Sequence, residues 1–421
     1  MTIEELYKAF LKCDSICTDT RKITSGCMFF ALKGDNFNGN TFALEALKKG
    51  AKYVVIDEEE YNKHKSCILV ANVLQALQYL ATHHRKILNI PIIALTGSNG
   101  KTTTKELINA VLSTTYNTSA TKGNLNNHIG VPLTLLEFTK DTEIGIVEMG
   151  ANHQKEIEFL SNIALPDFGL ITNFGKAHLE GFGGIEGVIK GKSELYNHLK
   201  ANDKFVFINV NDKLQIEQVG NYKKIIKFGS NMTMLDAQPF INVQFNSIQV
   251  KTHLTGAYNF NNICVAIAIG LHFKVEDYLI AKAIEGYIPS NNRSQIIEKN
   301  TNKIILDAYN ANPTSMMAAL DNFGSMKGKQ KIAVLGDMFE LGKASEVEHQ
   351  AITDYAQLFN IEHIFLVGKH FFRTKNNASN VKCFESFEDL KGKLSRMPLK
   401  NKIILIKGSR GMALERILED L

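Results

Sequence analysis

Apolar and polar residues alternate along the chain with two different periods, which predicts strands that alternate with helices. Short apolar runs such as 144–148 are typical of buried strands, whereas 72–88 has apolar residues at helical spacing. This alternation predicts an α/β fold with parallel sheets covered on both faces. Strands are predicted at 28–32, 52–57, 91–95, 144–148, 168–173, 204–210, 303–308, 331–336, 363–367 and 402–407, with short β segments in 222–255. Helices are predicted at 3–12, 41–49, 72–88, 153–163, 184–199, 260–273, 276–287, 313–323, 345–359, 386–396 and 411–420, and from Thr103 onward.

The chain is too long for one ordinary core, and the pattern divides it into three units. A small α/β domain is predicted at 1–88, ending in a basic helix terminus. A central P-loop-type parallel sheet is predicted at 89–290, followed by a polar linker. The alternation in 291–421 predicts a doubly wound, Rossmann-like domain.

Composition narrows the classes of partner and compartment. The net charge is +5 over 421 residues, and no long Lys/Arg run concentrates it, so a nucleic-acid partner is not expected. The six cysteines form no Cys-x-x-Cys pair, which favours reduced thiols. No apolar run approaches the ~20 residues that span a bilayer, and the acidic N-terminus is unlike a signal peptide. A cytoplasmic protein without stable membrane association is expected.

A glycine-rich loop follows the apolar run 91–95 and precedes a helical pattern. A loop between a strand and a helix N-terminus is a ready anion site. The standard pattern places a further glycine where Leu95 stands, so this is a shorter variant, Gly-x-x-Gly-Lys-Thr. A plain glycine-rich turn is the alternative. Nucleotide phosphate binding is predicted at Gly97, Ser98, Asn99, Gly100, Lys101, Thr102 and Thr103.

Three further patterns accompany this loop. Glu148 ends an apolar strand, where its carboxylate could bind Mg²⁺ together with the hydroxyl of Thr102. The alternative is that the Glu148 carboxylate faces solvent. Asn259 and Asn262 lie three positions apart at the start of a predicted helix, and their amides can hydrogen-bond the edge of an adenine ring. The alternative for Asn259 is that it caps the N-terminus of that helix. The remaining polar positions, each of which has an ordinary surface role as its alternative, are Asn124, Asn126, Asn127, His178, Lys190 and Lys192.

In the last unit, polar residues cluster where three predicted strands end. Ligands of open α/β sheets bind at the carboxyl ends of strands. Together these loops predict a site for a charged small molecule. The residues are Asp307, Asn310, Asn312, Asp337, Lys407, Ser409 and Arg410.

Taken together, these motifs resemble the Mur ligase family over nearly the whole chain. The motifs are 96–103, 123–132, 148–153, 177–182, 307–313 and 407–410. The resemblance implies an ATP-dependent amide ligase that joins D-alanyl-D-alanine to UDP-N-acetylmuramoyl-tripeptide through an acyl phosphate, in peptidoglycan synthesis. The alternative within the family is addition of a single amino acid, as in ligases that add a diamino acid or in folylpolyglutamate synthetases. A regulatory nucleotide-binding module is the alternative of another class.

The resemblance also implies roles for individual residues. ATP and Mg²⁺ are the expected cofactors, with Lys101, Glu148, His178 and Lys192 as catalytic residues. Thr102 and Glu148 would bind one Mg²⁺, and His178 with a carbamylated Lys192 a second. The nucleotide would contact Asn259, Asn262, Arg293 and Asp307, and the UDP end would contact Asp19, Thr20, Arg21 and the loop 33–40. Substrate binding is assigned to Asn124, Asn126, Asn127, Asn310, Asn312, Asp337, Lys407, Ser409 and Arg410.

One position departs from the family pattern. Tyr258 stands before Asn259 where family members often have histidine, and nucleotide binding is not expected to be lost. A monomer with the three predicted domains, one each for UDP, ATP and the dipeptide, is expected.

Overall fold

The computed structural model describes residues 1–290, 292–328, 330–397 and 399–421. Residue 291, where the third domain is predicted to start, lies outside the described residues. The fold is α/β and is built on three parallel or mostly parallel sheets, as predicted. Within the described part of the chain, no helix is long and apolar enough to cross a membrane.

The first sheet has four parallel strands in the order β1-β2-β5-β6, beside a small antiparallel hairpin, β3-β4. The elements of this region are α1 Ile3–Phe10, β1 Ile16–Cys17, β2 Met28–Phe30, β3 Lys33–Gly34, β4 Phe37–Asn38, α2 Ala43–Lys48, β5 Tyr53–Ile56, β6 Cys67–Leu69 and α3 Val73–Leu88.

The second sheet has six parallel strands in the order β12-β11-β10-β7-β9-β8, and a three-stranded antiparallel sheet, β13-β14-β15, follows it. The elements are β7 Ile92–Thr96, α4 Lys101–Leu112, β8 Thr118–Ala120, α5 Gly130–Leu136, β9 Ile144–Glu148, α6 Glu156–Ala164, β10 Phe168–Ile171, α7 Leu179–Phe182, α8 Ile185–Ala201, β11 Phe205–Asn209, α9 Lys213–Val219, β12 Ile225–Phe228, β13 Met232–Asp236, β14 Asn242–Phe245, β15 Ile248–Lys251, α10 Phe260–His272 and α11 Asp277–Gly286.

The central strand β7 is buried on both faces, which explains its uninterrupted apolar sequence. Ile92 and Ala94 point into one hydrophobic cluster, while Ile93 and Leu95 point into the opposite one. This follows from the two-residue period of a strand, because successive side chains leave the sheet on opposite sides. Helices α4 and α10 pack together on the second face. The loop after β7 is therefore held by a fully covered strand.

The third sheet has the order β16-β17-β21-β18-β19-β20, with only the edge strand β16 antiparallel to its neighbour. Its elements are β16 Gln295–Lys299, β17 Asn302–Asp307, α12 Pro313–Ser325, β18 Lys331–Gly336, α13 Ser345–Ala356, β19 His363–Val367, β20 Val381–Phe384, α14 Phe387–Leu394 and β21 Ile403–Lys407. Because β17, β21 and β18 are neighbours, the three polar loops predicted from the sequence leave the same edge of the sheet.

Helix α3 contacts both the first and the second unit of the chain, although the sequence pattern assigned it to the first unit alone. It packs against α1 on one side and against α5 and α6 on the other. His84 hydrogen-bonds the hydroxyl of Tyr7 at 3.1 Å and the carbonyl of Phe138 at 2.8 Å. The buried Arg85 forms a 2.7 Å ion pair with the partly exposed Asp167. The helix predicted to close the first domain is thus anchored in the second.

The C-terminal segment differs from its prediction. An α-helix was expected at 411–420, but the structure has short 3₁₀ helices, Arg410–Met412 and Leu414–Asp420. Ala413 between them has a left-handed backbone, with φ of 47°. A non-glycine residue in that region ends helical pairing locally, so the apolar spacing did not produce a continuous helix.

Candidate active site

The loop predicted to bind phosphate lies between β7 and α4, as the strand–loop–helix pattern requires. The helix starts at Lys101, two residues earlier than expected. Gly100 has φ of 80°, and a Cβ there would lie 2.7 Å from Asn262 Oδ1. Glycine is therefore required both by the backbone and by the close packing of α10 against the loop.

Lys101 lies at the N-terminus of α4, where free backbone N–H groups and the helix dipole favour an anion. Its ammonium donates a 2.7 Å hydrogen bond to the carbonyl of Gly97. Burial lowers the pKa of Lys101, Glu148 opposes this shift, and the positive charge of Arg293 adds to it. Two cations that line one cavity are suited to a polyphosphate.

Thr102 and Glu148 meet directly, although they lie 46 positions apart in the sequence. The Thr102 hydroxyl donates to one carboxylate oxygen of Glu148 at 3.0 Å, and the Asn126 amide donates to the other at 2.9 Å. Glu148 is only 2% exposed, which excludes the solvent-facing alternative. The neighbouring Asn127 instead accepts hydrogen bonds from two backbone N–H groups at the start of α5, while Asn124 lines the cavity described next.

A cavity of about 890 Å³ separates the phosphate loop from the loops of the third sheet. Its lining brings together most of the positions predicted from the sequence. They are Ser98, Asn99, Gly100, Lys101, Thr102, Thr103, Asn124, Asn126, Asn127, Glu148, His178, Asn259, Asn262, Arg293, Asp307, Asn310 and Lys407.

Asn259 and Asn262 form one polar pair beside the phosphate loop. Asn262 donates to Asn259 at 2.8 Å, and Asn259 donates to the carbonyl of Thr255 at 2.9 Å. The side chain of Asn259 makes no capping hydrogen bond to α10, so the capping alternative is wrong. Tyr258, at the departure from the family pattern, hydrogen-bonds Ser294 at 2.7 Å.

On the opposite wall, Asp307 and Lys407 form an ion pair of 2.6 Å. Arg293 lies with its guanidinium 3.8 Å from the ring centroid of Tyr309, and its buried Nε has no hydrogen-bond partner in the described structure. Stacking on an aromatic face fixes a guanidinium without using its donors. Tyr309 is thus a site residue that sequence reasoning missed, although it stands inside the quoted motif 307–313.

In the third sheet's unit, four predicted substrate residues do not line the cavity. Asp337 accepts backbone hydrogen bonds from His370 and Phe371, and Ser409 accepts one from Phe339. Both therefore fix loops of the third sheet. Arg410 is exposed and pairs with Glu415, and Asn312 bonds Asn99.

His178 and Lys192 do not share a metal site in this structure. His178 Nδ1 hydrogen-bonds Glu340, which lowers the pKa of that carboxyl. Lys192 is completely buried; its amine donates to the carbonyl of Ala151 at 3.1 Å and lies 4.9 Å from the Phe182 ring centroid. Burial lowers the pKa of Lys192 well below its usual value.

The residues predicted for the UDP end lie away from this cavity, near the first sheet. Arg21 hydrogen-bonds Asp19 at 2.8 Å and lowers the pKa of that carboxyl to about 2. The carbonyl of Thr20 accepts from Lys49 at 3.1 Å. Asn40 in the adjoining loop is buried and donates to Asp57 at 2.9 Å.

Comparison with known proteins places the whole chain in one family. Three family models match: Mur ligase family, catalytic domain, at residues 12–90; Mur ligase middle domain at 95–270; and Mur ligase, glutamate ligase domain, at 292–410. The UDP-N-acetylmuramoyl-tripeptide–D-alanyl-D-alanine ligase of Bacillus subtilis is 36% identical, covering 96% of this chain and 92% of its own.

Solved structures agree with this. MurF from Acinetobacter baumannii superposes with a TM-score of 0.86 at 30% identity, covering 100% of this chain and 98% of its own. MurF from Thermotoga maritima in complex with ADP superposes with a TM-score of 0.85 at 26% identity, covering 98% of this chain and 97% of its own. The phosphate loop, Glu148 and the loops of the third sheet thus lie in a framework shared with these enzymes, and the chain belongs to the Mur ligase family.

Proposed function

We propose that this chain is an ATP-dependent ligase that joins D-alanyl-D-alanine to UDP-N-acetylmuramoyl-tripeptide in peptidoglycan precursor synthesis. The observation that carries the proposal is the single cavity with the phosphate loop on one wall and Asp307 and Lys407 on the other. The B. subtilis relative is named for this dipeptide addition, and the T. maritima structure contains ADP. Addition of a single amino acid is therefore not favoured.

The predicted domains then have separate tasks. Residues 1–88 would bind the UDP end through Asp19, Thr20 and Arg21, residues 89–290 would bind ATP, and residues 291–421 would bind the dipeptide. The anchoring of α3 in the second sheet supports a fixed relation between the first two units. A cytoplasmic location and a monomeric state stay predictions from the sequence.

The proposed chemistry has two steps, both between substrates. The tripeptide's terminal carboxylate oxygen bonds the γ-phosphorus of ATP, the bond from that phosphorus to the bridging oxygen breaks, and ADP leaves. The amine of D-alanyl-D-alanine then bonds the acyl carbon, inorganic phosphate leaves with the former carboxylate oxygen, and the amine loses a proton. Such phosphoryl transfer depends on positioning and charge stabilisation more than on covalent help from the protein.

The cationic side chains of the cavity suit this chemistry. Lys101 and the N–H groups that open α4 would hold the phosphates, and the free Nε of Arg293 offers a further donor. Asn259 and Asn262, beside the loop, would contact the nucleoside. Lys407, held by Asp307, would face the incoming dipeptide, which carries a carboxylate.

Thr102 and Glu148 form a donor set that fits Mg²⁺, since hydroxyl and carboxylate oxygens are ligands that this hard cation prefers. Within the described ranges, no group of three His, Cys, Asp or Glu side chains is placed to hold a metal. That agrees with the usual reliance of Mg²⁺ on phosphate and water oxygens. When bound, the ion neutralises charge on the transferred phosphoryl group.

The second predicted metal set does not fit in its unmodified form, because an amine is a poor ligand for Mg²⁺. A carbamate on Lys192 would provide oxygens instead: its neutral amine bonds the carbon of CO₂ and releases a proton. The lowered pKa of Lys192 supports this, because it favours the neutral amine. We therefore retain carbamylation of Lys192 as part of the proposal.

A substrate panel tests the proposed function. ADP release is measured with ATP in two sets of reactions. In the first, UDP-N-acetylmuramoyl-tripeptide is combined with D-alanyl-D-alanine or a single amino acid; in the second, UDP-N-acetylmuramoyl-L-alanyl-D-glutamate, the acceptor named for a sister ligase, is combined with L-lysine or meso-diaminopimelate. The proposal predicts turnover with the dipeptide and none above background with single amino acids. Equal turnover with a single amino acid would assign the chain to a sister activity, and nucleotide binding without turnover would favour a regulatory module.

A further inference from the structure

The side chain of Asn312, just before α12, forms a hydrogen bond with Asn99 of the phosphate loop. Its Nδ2 donates to Asn99 Oδ1 at 2.7 Å, and Asn99 Nδ2 returns a longer hydrogen bond of 3.4 Å. Asn312 is 3% exposed. Two amides, 213 positions apart, thus face each other as donor and acceptor in a partly buried contact.

Asn312 is held in this orientation by its own helix. Its Oδ1 accepts from the backbone N–H of Ser315 at 2.9 Å, its backbone N–H donates to the Ser315 hydroxyl at 3.0 Å, and Pro313 opens the helix. This is a capping box, which fixes the capping side chain. With Oδ1 engaged by the cap, Nδ2 is left to point at the phosphate loop.

Asn99 is held equally firmly from the second sheet. Its backbone N–H donates to Asn173 at 3.1 Å, and its carbonyl accepts from Thr172 at 2.6 Å and from Asn173 at 3.0 Å. Both partners lie just beyond the end of β10. The backbone of the loop is therefore fixed by its own sheet, while the side chain of Asn99 is fixed by the third sheet's helix.

Gly175 lies between Asn99 and the start of α12, where there is no room for a side chain. A Cβ at Gly175 would lie 2.9 Å from Asn99 Nδ2 and 3.1 Å from the Thr314 hydroxyl. The next residue, Lys176, donates its backbone N–H to that hydroxyl at 2.9 Å and forms a 2.6 Å ion pair with Glu348. Glycine at 175 lets the start of α12 lie directly against the loop.

We infer that Asn312 is a positioning residue for ATP: it acts through Asn99 to hold the phosphate loop, rather than contacting the dipeptide as its motif suggested. Docking of the third sheet's unit and ordering of the phosphate loop are then coupled. Whatever strengthens that docking strengthens nucleotide binding, because the same hydrogen bond serves both. The inference rests on the proposed use of ATP by this site.

The test uses substitutions that separate the two roles of Asn312. Asn312→Ser keeps a good helix cap but is too short to reach Asn99, whereas Asn312→Ala loses both. Asn99→Ala and the double variant Asn99→Ala/Asn312→Ser complete a double-mutant cycle. The Kd of ATP is measured by calorimetry on the full chain without acceptor. The Tm of each variant is measured as well, and steady-state assays give kcat and the KM values for ATP and for the dipeptide. Asn322→Ser is the matched control, since Asn322 lies at the other end of α12 and bonds Gln238 at 2.9 Å.

The inference predicts that Asn312→Ser weakens ATP binding about threefold to tenfold, the range of one hydrogen bond, with Tm unchanged. The double variant should bind ATP no more weakly than Asn99→Ala alone. An unchanged Kd in Asn312→Ser, an effect confined to the KM of the dipeptide, or an equal loss in Asn322→Ser would overturn it. Because the Kd needs no acceptor, ATP binding without dipeptide ligation would refute the proposed function and still decide this inference.

Discussion

Lys407 and Asp307 pair at the carboxyl ends of neighbouring strands, with Nζ 2.6 Å from Oδ2. The register of β17 and β21 places them directly opposite each other. The side chain of Lys407 is 2% exposed and that of Asp307 is 18% exposed. A second contact joins the Lys407 amine to the carbonyl of Asn310 at 3.2 Å. The pair therefore fixes the loop 307–312 to the last strand.

Lys407→Met should destabilise the protein, because it leaves the carboxylate of Asp307 half-buried without its counter-ion. Breaking a buried ion pair from one side costs about 3 kcal/mol, and urea unfolding followed by circular dichroism measures it. The double variant Asp307→Asn/Lys407→Met should recover part of that loss, since no unpaired charge remains. Lys400→Met, at an exposed lysine of the same region, is the control. Equal stability of the Lys407 and Lys400 variants would contradict this account.

Lys101→Ala should retain the fold and lose activity. Its ammonium bonds the backbone of the phosphate loop and faces the cavity. Removing a charge that stabilises a transferred phosphoryl group lowers kcat by about a hundredfold or more. Steady-state ADP release measures the loss, and unchanged circular dichroism confirms folding. Lys122→Ala, at a lysine whose side chain is 72% exposed, controls for loss of one positive charge. Turnover of the Lys101 variant near the wild-type rate would refute its role.

The sequence predicted the elements of the second and third sheets well, because buried parallel strands such as β9 and β18 are continuous apolar runs between turns. It predicted the short β segments of 222–255, which include the edge strand β12, but it missed several other edge or short elements. Strand β8, Thr118–Ala120, is half-buried and polar, and α5, Gly130–Leu136, begins among asparagine and glycine with Pro132 in its first turn. Proline is tolerated there because that N–H has no helical partner, so turn-like composition concealed a helix.

For the site, residues whose roles follow from the backbone were predictable, and residues whose roles follow from packing were not. Gly100, Lys101 and Thr102 are placed by the strand–loop–helix order itself. By contrast, the stacking of Arg293 on Tyr309 depends on the antiparallel pairing of β16 with β17, which brings the residue before β16 close to the loop after β17. The contact of Asn312 with Asn99 depends on how the third sheet lies against the second. Asp337 shows the reverse case: its position at a strand end predicted substrate binding, and the structure shows its carboxylate accepting hydrogen bonds from two backbone N–H groups of the third sheet's own loop.

Acidification should destabilise the contact between α3 and the second sheet through His84. Its Nε2 donates to the Phe138 carbonyl and its Nδ1 accepts from the Tyr7 hydroxyl, which fits a neutral ring. Burial lowers the pKa of His84 below its ordinary value of 6.5. Below pH ~6.5 the unfolded chain therefore binds a proton that the folded chain refuses, and stability falls as the pH falls. Above that pH both states are neutral and the effect is absent.

The slope from this one group is confined to the pH range between the folded-state and unfolded-state pKa of His84, and it is at most about 1.4 kcal/mol per pH unit. Urea unfolding at pH 7.5, 6.5, 5.5 and 5.0 measures it. His84→Gln, which keeps polar atoms but does not titrate, should reduce the slope, with the exposed His64→Gln as the matched control. Identical slopes in the wild type and the His84 variant would remove His84 from the pH dependence.

Lys192 and Lys190 offer the sharpest comparison, because they are the same residue type two positions apart on α8. Residues so spaced face different directions on a helix, and the structure buries Lys192 completely while Lys190 is exposed. If Lys192 is carbamylated and serves the reaction, Lys192→Ala should be nearly inactive. Lys190→Ala should stay close to the wild type.

Acetate should partly restore Lys192→Ala, because a small carboxylate fits the space left by the side chain and returns the oxygens of the carbamate. Activity alone does not distinguish a lost modification from lost packing, so a second readout is needed. Wild-type protein equilibrated with ¹³C-labelled CO₂ should show a carbamate carbon by NMR, retained in the Lys190 variant and absent from the Lys192 variant. Full activity of both variants would exclude the modification as a requirement. An inactive Lys190 variant beside an active Lys192 variant would transfer the role to the exposed lysine, against the burial and the lowered pKa that single out Lys192.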